Sequence, residues 1–275
     1  DPAKPEEATA GSGSDTVPAY SWYALGVLVL IYVLNFIDRQ ILSILANDIK
    51  ADLGVEDDYL GFLYGTAFAV FYALFGIPLG KLADSWKRVR LMSLGLALWS
   101  TMTALSGFAK NATTLTVARI GVGGGEATAS PSAYSLISDW FPARLRATAL
   151  AIYSSGLYVG GGISLLIGGL IVEQWNASYP DGGPLGLAGW QAAFIAVGMP
   201  GILLAIWLIL FVTKGRFLKR PFEHVVGNSL NRQVRVDGDF QLYFAPITVK
   251  FLAEGIRVSN TSWASRPDIF RADRI

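Results

Sequence analysis

Apolar residues fall into six long runs along this chain, and polar or charged residues fill the short gaps between them. A bilayer core of about 30 Å needs roughly 20 mostly apolar residues per helix. Segments 22–46, 59–83, 89–109, 113–138, 147–172 and 189–212 meet that length. Glycine, serine and threonine recur inside them, as in membrane helices that pack closely. The first 20 residues (including KPEEATAGSGSD) are small and polar and read as a disordered cytoplasmic leader. After residue 213 the pattern shortens. Residues 231–260 carry brief β-branched and aromatic runs, with Asp237-Gly238 as a hairpin signal. The expected fold is therefore an all-α membrane protein of six transmembrane helices over 21–213, with a small β-rich tail over 214–275.

Composition supports the bilayer. Hydrophobic residues make up 52% of the 275 and charged residues only 16%, against about 25% charged in soluble domains. Mean hydropathy is +0.43. A net charge of +1 gives no basic excess for nucleic acid. The chain has no cysteine and one histidine, His224, which removes disulfides, thiol catalysis and Cys-based metal sites. No nucleophile–base pair or metal cluster is visible, so neither an enzyme nor a cofactor is expected.

The positive charges set the expected orientation. Lys81, Lys87, Arg88 and Arg90 follow the second segment, and Arg144 and Arg146 follow the fourth. Lys214, Arg216, Lys219 and Arg220 follow the sixth. The intervening loops are poor in them: the first holds acids around Lys50, and the fifth-to-sixth (EQWNASYPDGGPLG) has neither Lys nor Arg. Both the N-terminus and the end of the sixth helix are expected in the cytoplasm.

Ionisable residues within a membrane helix are costly and mark function by default. Asp38 and Arg39 lie in the first segment (NFIDRQ), Arg119 and Glu126 in the fourth (ARIGVGGGEA). At about 1.5 Å per residue, Asp38 and Arg39 lie roughly 10–12 Å below the outer face, between Arg119 at about 9 Å and Glu126 at about 20 Å. Arg119 and Glu126 are two turns apart, on one face. If the two helices face each other, two acids and two bases meet in one cavity. There, a carboxylate near arginine can change its proton affinity when substrate or water enters. The alternative is that the arginines only neutralise the acids and lock the helices.

Gly80, Asp84, Lys87, Arg88 and Arg90 form a second cluster, a candidate conformational-switch loop in which Asp84 could meet a neighbouring helix N-terminus. An ordinary positive-inside loop explains the same charges. Four glycine pairs spaced by four, Gly61/Gly65, Gly76/Gly80, Gly121/Gly125 and Gly156/Gly160, suit close helix crossings. Tyr64, Phe68, Tyr72, Tyr153 and Tyr158 are candidates for lining a cavity, with packing as the commoner role.

These motifs carry a resemblance. GKLADSWKRVRL is similar to the G-x-x-x-D-[RK]-x-G-R-[RK] loop signature of the major facilitator superfamily, with Ser85 and Lys87 in place of the usual base and glycine. ARIGVGGGEA resembles its fourth-helix R-x-x-x-G motif. NFIDRQ with GVGGGEA looks most like the Spinster-like branch, whose members export lysolipids and sphingoid lipids. The resemblance implies one six-helix half of a proton-coupled secondary transporter for an amphipathic organic or lipid-like substrate, with Asp38, Arg39, Arg119 and Glu126 as its charged core. The implied location is a bacterial inner membrane. It also implies that Asp84 faces a second half, so a second copy or a separate second half is an expected partner. The tail (RPFEHVVGNSLNRQVRVDGDF) looks like the start of an AsmA-family protein. That leaves a competing expectation, a non-transporting membrane anchor or fusion carrying an AsmA-like segment.

Overall fold

The computed structural model describes residues 17–180, 182–245, 248–260, 265 and 267–275. Residues 1–16 of the expected leader lie outside these, and its last two residues already belong to the first helix. Helix α1 (Ala19–Ile44) leads into the short α2 (Ala46–Leu53), which Gly54 ends in the left-handed region at φ 63°. Next, α3 (Asp57–Gly61) runs through a π-helical turn (Phe62–Ala67) into α4 (Phe68–Ser85). Helices α5 (Arg88–Ser106), α6 (Ala112–Glu126), α7 (Ala129–Trp140), α8 (Ala143–Ser178) and α9 (Gly189–Thr213) follow.

Four helical stretches are long and apolar enough to cross a membrane: α1, residues 57–85, α8 and α9. The expected segment 89–109 coincides with α5, whose apolar character Ser93, Ser100, Thr103 and Ser106 dilute. The expected segment 113–138 is interrupted, with α6 ending at Glu126 and α7 opening at Ala129. Pro131 explains the break, because it offers no N–H to the carbonyl four residues back, at Ala127, and its ring crowds that carbonyl. The Asn111 side chain caps α6 by accepting from the Thr114 N–H at 2.9 Å.

Helix α1 packs along α8, α5 along α9, and α6 between α4 and α5. Glycine permits the tightest approaches. A Cβ on Gly125 would sit 2.8 Å from the Trp99 backbone nitrogen, and one on Gly160 would sit 2.6 Å from the Val33 carbonyl. The Gly121/Gly125 and Gly156/Gly160 pairs thus serve the crossings expected of them. Gly61, Gly65, Gly76 and Gly80 face open space instead, so those two pairs make no crossing within this chain.

The apolar interior divides along the helix axes into two clusters. One gathers Leu28, Ile31, Leu96, Trp99, Val122, Tyr153 and Leu208. The other gathers Ile37, Ile41, Leu63, Leu115, Phe194 and Val197. Helices α1, α6 and α9 contribute buried residues to both.

The tail differs from the β-rich expectation by beginning with a helix, α10 (Lys219–Leu230). A small sheet follows: β1 (Val234–Val236), β2 (Phe240–Ala245), β3 (Thr248–Ser259) and β4 (Asp268–Arg274). Asp237-Gly238 is not a hairpin turn. Strands β1 and β2 lie end to end and both pair antiparallel with β3, on which β4 pairs along the other edge. The chain kinks between β1 and β2, and β3 accommodates the kink at Gly255 (φ 66°). Phe222 of α10 packs on Phe240 and Phe251, and β2 meets the end of α9 where the Leu242 N–H bonds the Lys214 carbonyl at 3.0 Å.

Candidate functional site

The four intramembrane charges form a polar seam between α1 and α6. From α1, Arg39 reaches across to α6 and donates to Glu126 Oε2 at 2.7 Å. The Glu126 side chain is wholly enclosed, whereas that of Arg39 is 28% exposed, so the ion pair spans from the interior to an open face. The guanidinium is held by aromatic rings as well as by charge. Its Cζ lies 4.5 Å from the Phe68 ring centre, 5.2 Å from Phe36 and 5.6 Å from Tyr72, within cation–π range. The π-helical turn just before Phe68 alters the helix phase leading to that ring. Such turns recur at functional sites.

The second pair is arranged differently. Arg119 is buried and donates to the backbone carbonyl of Asp38 at 2.9 Å, not to its carboxylate. Its guanidinium also lies 5.8 Å from the Phe194 ring centre. The Asp38 carboxylate faces Trp99 and Thr103 of α5. Yet Asp38 Oδ1, Trp99 Nε1, Thr103 Oγ1, Arg119 Nη1 and Glu126 Oε1 are all buried without a hydrogen-bond partner, as is Asn35 Nδ2 beside Glu126. Buried polar atoms are normally satisfied. Here Trp99 and Thr103 stand toward Asp38 and Asn35 toward Glu126, so donors and acceptors face one another without closing into short hydrogen bonds.

The structure therefore brings Asp38, Arg39, Arg119 and Glu126 together, but with one ion pair rather than two. A mere charge lock would pair both acids. Sequence reasoning missed Asn35, Trp99 and Thr103. Asn35 was within reach, since it stands three residues before Asp38 and four before Arg39, on their face of α1. Trp99 and Thr103 needed the position of α5.

The switch-loop residues part company. Arg88, at the start of α5, forms an ion pair with Asp139 near the end of α7. Asp84, in the last turn of α4, is exposed. Lys87 and Arg90 are exposed, and Gly80 has open space beside it. Of the candidate cavity aromatics, Phe68 and Tyr72 face Arg39, and the Tyr64 hydroxyl donates to Gln40 Oε1 at 2.6 Å. Tyr153 is buried and stacks on Tyr32, so it packs, while Tyr158 is 79% exposed on α8. Among the described residues no group of three His, Asp or Glu side chains is placed to hold a metal ion.

Comparison with known proteins bears on this geometry. The family profile of the Major Facilitator Superfamily matches residues 28–264. An MFS-type efflux pump of Mycolicibacterium smegmatis is 33% identical over 195 residues, 71% of this chain and 42% of that protein. Protein spinster of Drosophila melanogaster is 29% identical over 211 residues, 77% of this chain and 33% of that one. Among solved structures, a bacterial homologue of the human lysosomal transporter Spinster, inward-facing and occupied, superposes with a TM-score of 0.66 at 38% identity. That match covers 71% of this chain and 45% of the homologue. The chain thus spans less than half the length of each of these relatives.

Proposed function

Because the chain belongs to the Major Facilitator Superfamily, a family of membrane transporters and not of enzymes, we propose that it is one half of a secondary-active, proton-coupled transporter. The observation that carries this reading is the unequal pairing in the seam. Glu126 is held by Arg39, whereas the Asp38 carboxylate makes no ion pair among the described residues, although Arg119 lies close enough to bond its main chain. A proton moving between the two acids would redistribute Arg39 and Arg119 among them. Since each arginine sits on a different helix, the exchange would shift α1 against α6. Binding of a substrate group to the unsatisfied polar atoms would bias the same exchange, which is the differential interaction that coupling requires.

The open face of Arg39 is aromatic, with Phe36, Phe68 and Tyr72 around one guanidinium. That suits an amphipathic or lipid-like substrate with an apolar body and a polar head. Transporters of this architecture enclose their substrate between two repeats, so the cavity needs a second half, either a second copy or a separate chain. We place the N-terminus in the cytoplasm of a bacterial inner membrane, with α5 and the α6–α7 pair as two further spans. The segment from 214 onward we read as an AsmA-like addition on the cytoplasmic side.

Proteoliposomes test the proposal. The chain is purified, its stoichiometry is measured, and it is sealed into vesicles holding a pH-sensitive dye. Lysophosphatidylcholine is then added as the probe substrate. A dimer that moves protons in response, and a Glu126→Gln variant that does not, support the reading. A monomer that moves none would leave only a membrane anchor.

A further inference from the structure

Outside the membrane bundle, the described arginines of the tail divide into two kinds. Arg216, Arg257, Arg271 and Arg274 each stand against an acid: Asp239, Asp237, Asp273 and Glu254 respectively. Arg220, Arg232 and Arg235 have no side-chain hydrogen bond or ion pair with any described residue. These three line one cleft of about 380 Å³ between α10 and β1. We propose that the cleft is a binding site for a phosphate-bearing anion.

The elements converge for identifiable reasons. Arg220, His224 and Asn228 recur every four residues and so share one stripe of α10. Asn231, in the left-handed region at φ 53°, ends the helix and turns the chain back so that β1 runs beside that stripe. On β1, Val234 and Val236 are buried beneath α10, and Arg235 between them is exposed. The one acid lining the cleft, Glu223, is already engaged, accepting from the Val236 N–H at 2.7 Å. It fixes the strand to the helix, and it forms no ion pair with a described arginine.

Charge placement on the sheet points the same way. Arg235 lies directly across from Arg257 in the β1–β3 register, and like charges facing each other across strands are unfavourable. Arg257 is answered by Asp237 and Arg235 is not. An anion between Arg220, Arg232 and Arg235 would satisfy all three. Guanidinium forks match phosphate oxygens in bidentate fashion, and the Asn228 and Gln233 amides in the same cleft supply further donors. The phosphate could come from a soluble compound or from a phospholipid head group, because α10 begins only six residues after α9 ends.

The experiment uses the full chain in nanodiscs and follows amide hydrogen exchange over residues 219–236. In phosphatidylcholine discs, added pyrophosphate slows exchange there if the ligand is soluble. Without pyrophosphate, replacing part of the lipid with phosphatidylglycerol slows it if the source is a head group. Either result supports the site. The Arg232→Gln/Arg235→Gln variant should lose the effect, with affinity falling about tenfold or more. Its unchanged exchange over β2 and β3 would show that the sheet remains folded. Arg220→Gln, on the helix side of the cleft, should weaken binding independently. The inference is overturned if neither anion protects the segment, or if both variants are protected as well as the wild type.

Discussion

Arg119 donates to the main-chain carbonyl of Asp38 at 2.9 Å, while the carboxylate of that residue makes no ion pair with a described residue. The proposed coupling rests on this unequal treatment of two buried acids. The same inequality sets the expected behaviour of substitutions there.

Removing Arg39 should be costly. Glu126 is enclosed and Arg39 is its one ion-pair partner among the described residues. Breaking such a buried pair from one side costs about 3–5 kcal/mol. Arg39→Ala should lower the unfolding midpoint in detergent strongly, and adding Glu126→Gln should restore much of the loss. A double variant no better than the single one would show that the aromatic contacts of Arg39, not its charge, hold the helices.

Asp38→Asn should behave in the opposite way. No ion pair is broken, so stability should stay within about 1 kcal/mol of wild type. Proton movement in the vesicle assay should nevertheless disappear. Thermal unfolding and flux on the same preparation check both halves of the statement.

Glycine substitutions should sort by neighbour. Gly125→Val drives a side chain into the backbone of Trp99 and Gly95 and should prevent the α5–α6 crossing, with loss of folded protein on expression. Gly76→Ala, beside open space in this chain, should fold normally. If Gly76→Ala leaves folding intact but reduces flux, that face of α4 is where the second half docks.

Acid should loosen the tail late. The Gln241 amide and then Arg216 hold the Asp239 carboxyl below the usual carboxylate range. A lowered folded-state value contributes stability that is present above the ordinary carboxylate pKa and is lost only as pH falls through the lowered value. The link between the 216–218 turn and β2 should therefore survive down to about pH 4 and weaken below it. Hydrogen exchange of residues 214–218 against pH would show this. In Asp239→Asn the protection of these amides, taken relative to their intrinsic exchange at each pH, should no longer change in that window.

Part of the organisation was legible in the residue pattern, and the reason is the solvent. Lipid offers the backbone no hydrogen bonds, so long apolar runs must become helices, and the long helices of the bundle overlap expected segments, while the short α2 lies in an expected loop. The fourth showed Pro131 in plain sight, yet its break at Ala127 and Thr128 was read through as one continuous helix. The Asp237-Gly238 turn failed for a different reason. A local hairpin signal cannot know that β3 is long enough to pair with both β1 and β2, and that pairing decides the turn.

Sequence by itself determined that Asp38, Arg39, Arg119 and Glu126 are costly in an apolar span, and left open whether the first and fourth segments bring them together. Only the tertiary structure decided that, and how they meet. Which oxygen Arg119 reaches, which rings enclose Arg39, and that Asn35, Trp99 and Thr103 join them depend on the rotation and depth of α1, α5 and α6. Those follow from how Gly125 and Gly160 let backbones meet, a property of pairs of helices that no single segment carries.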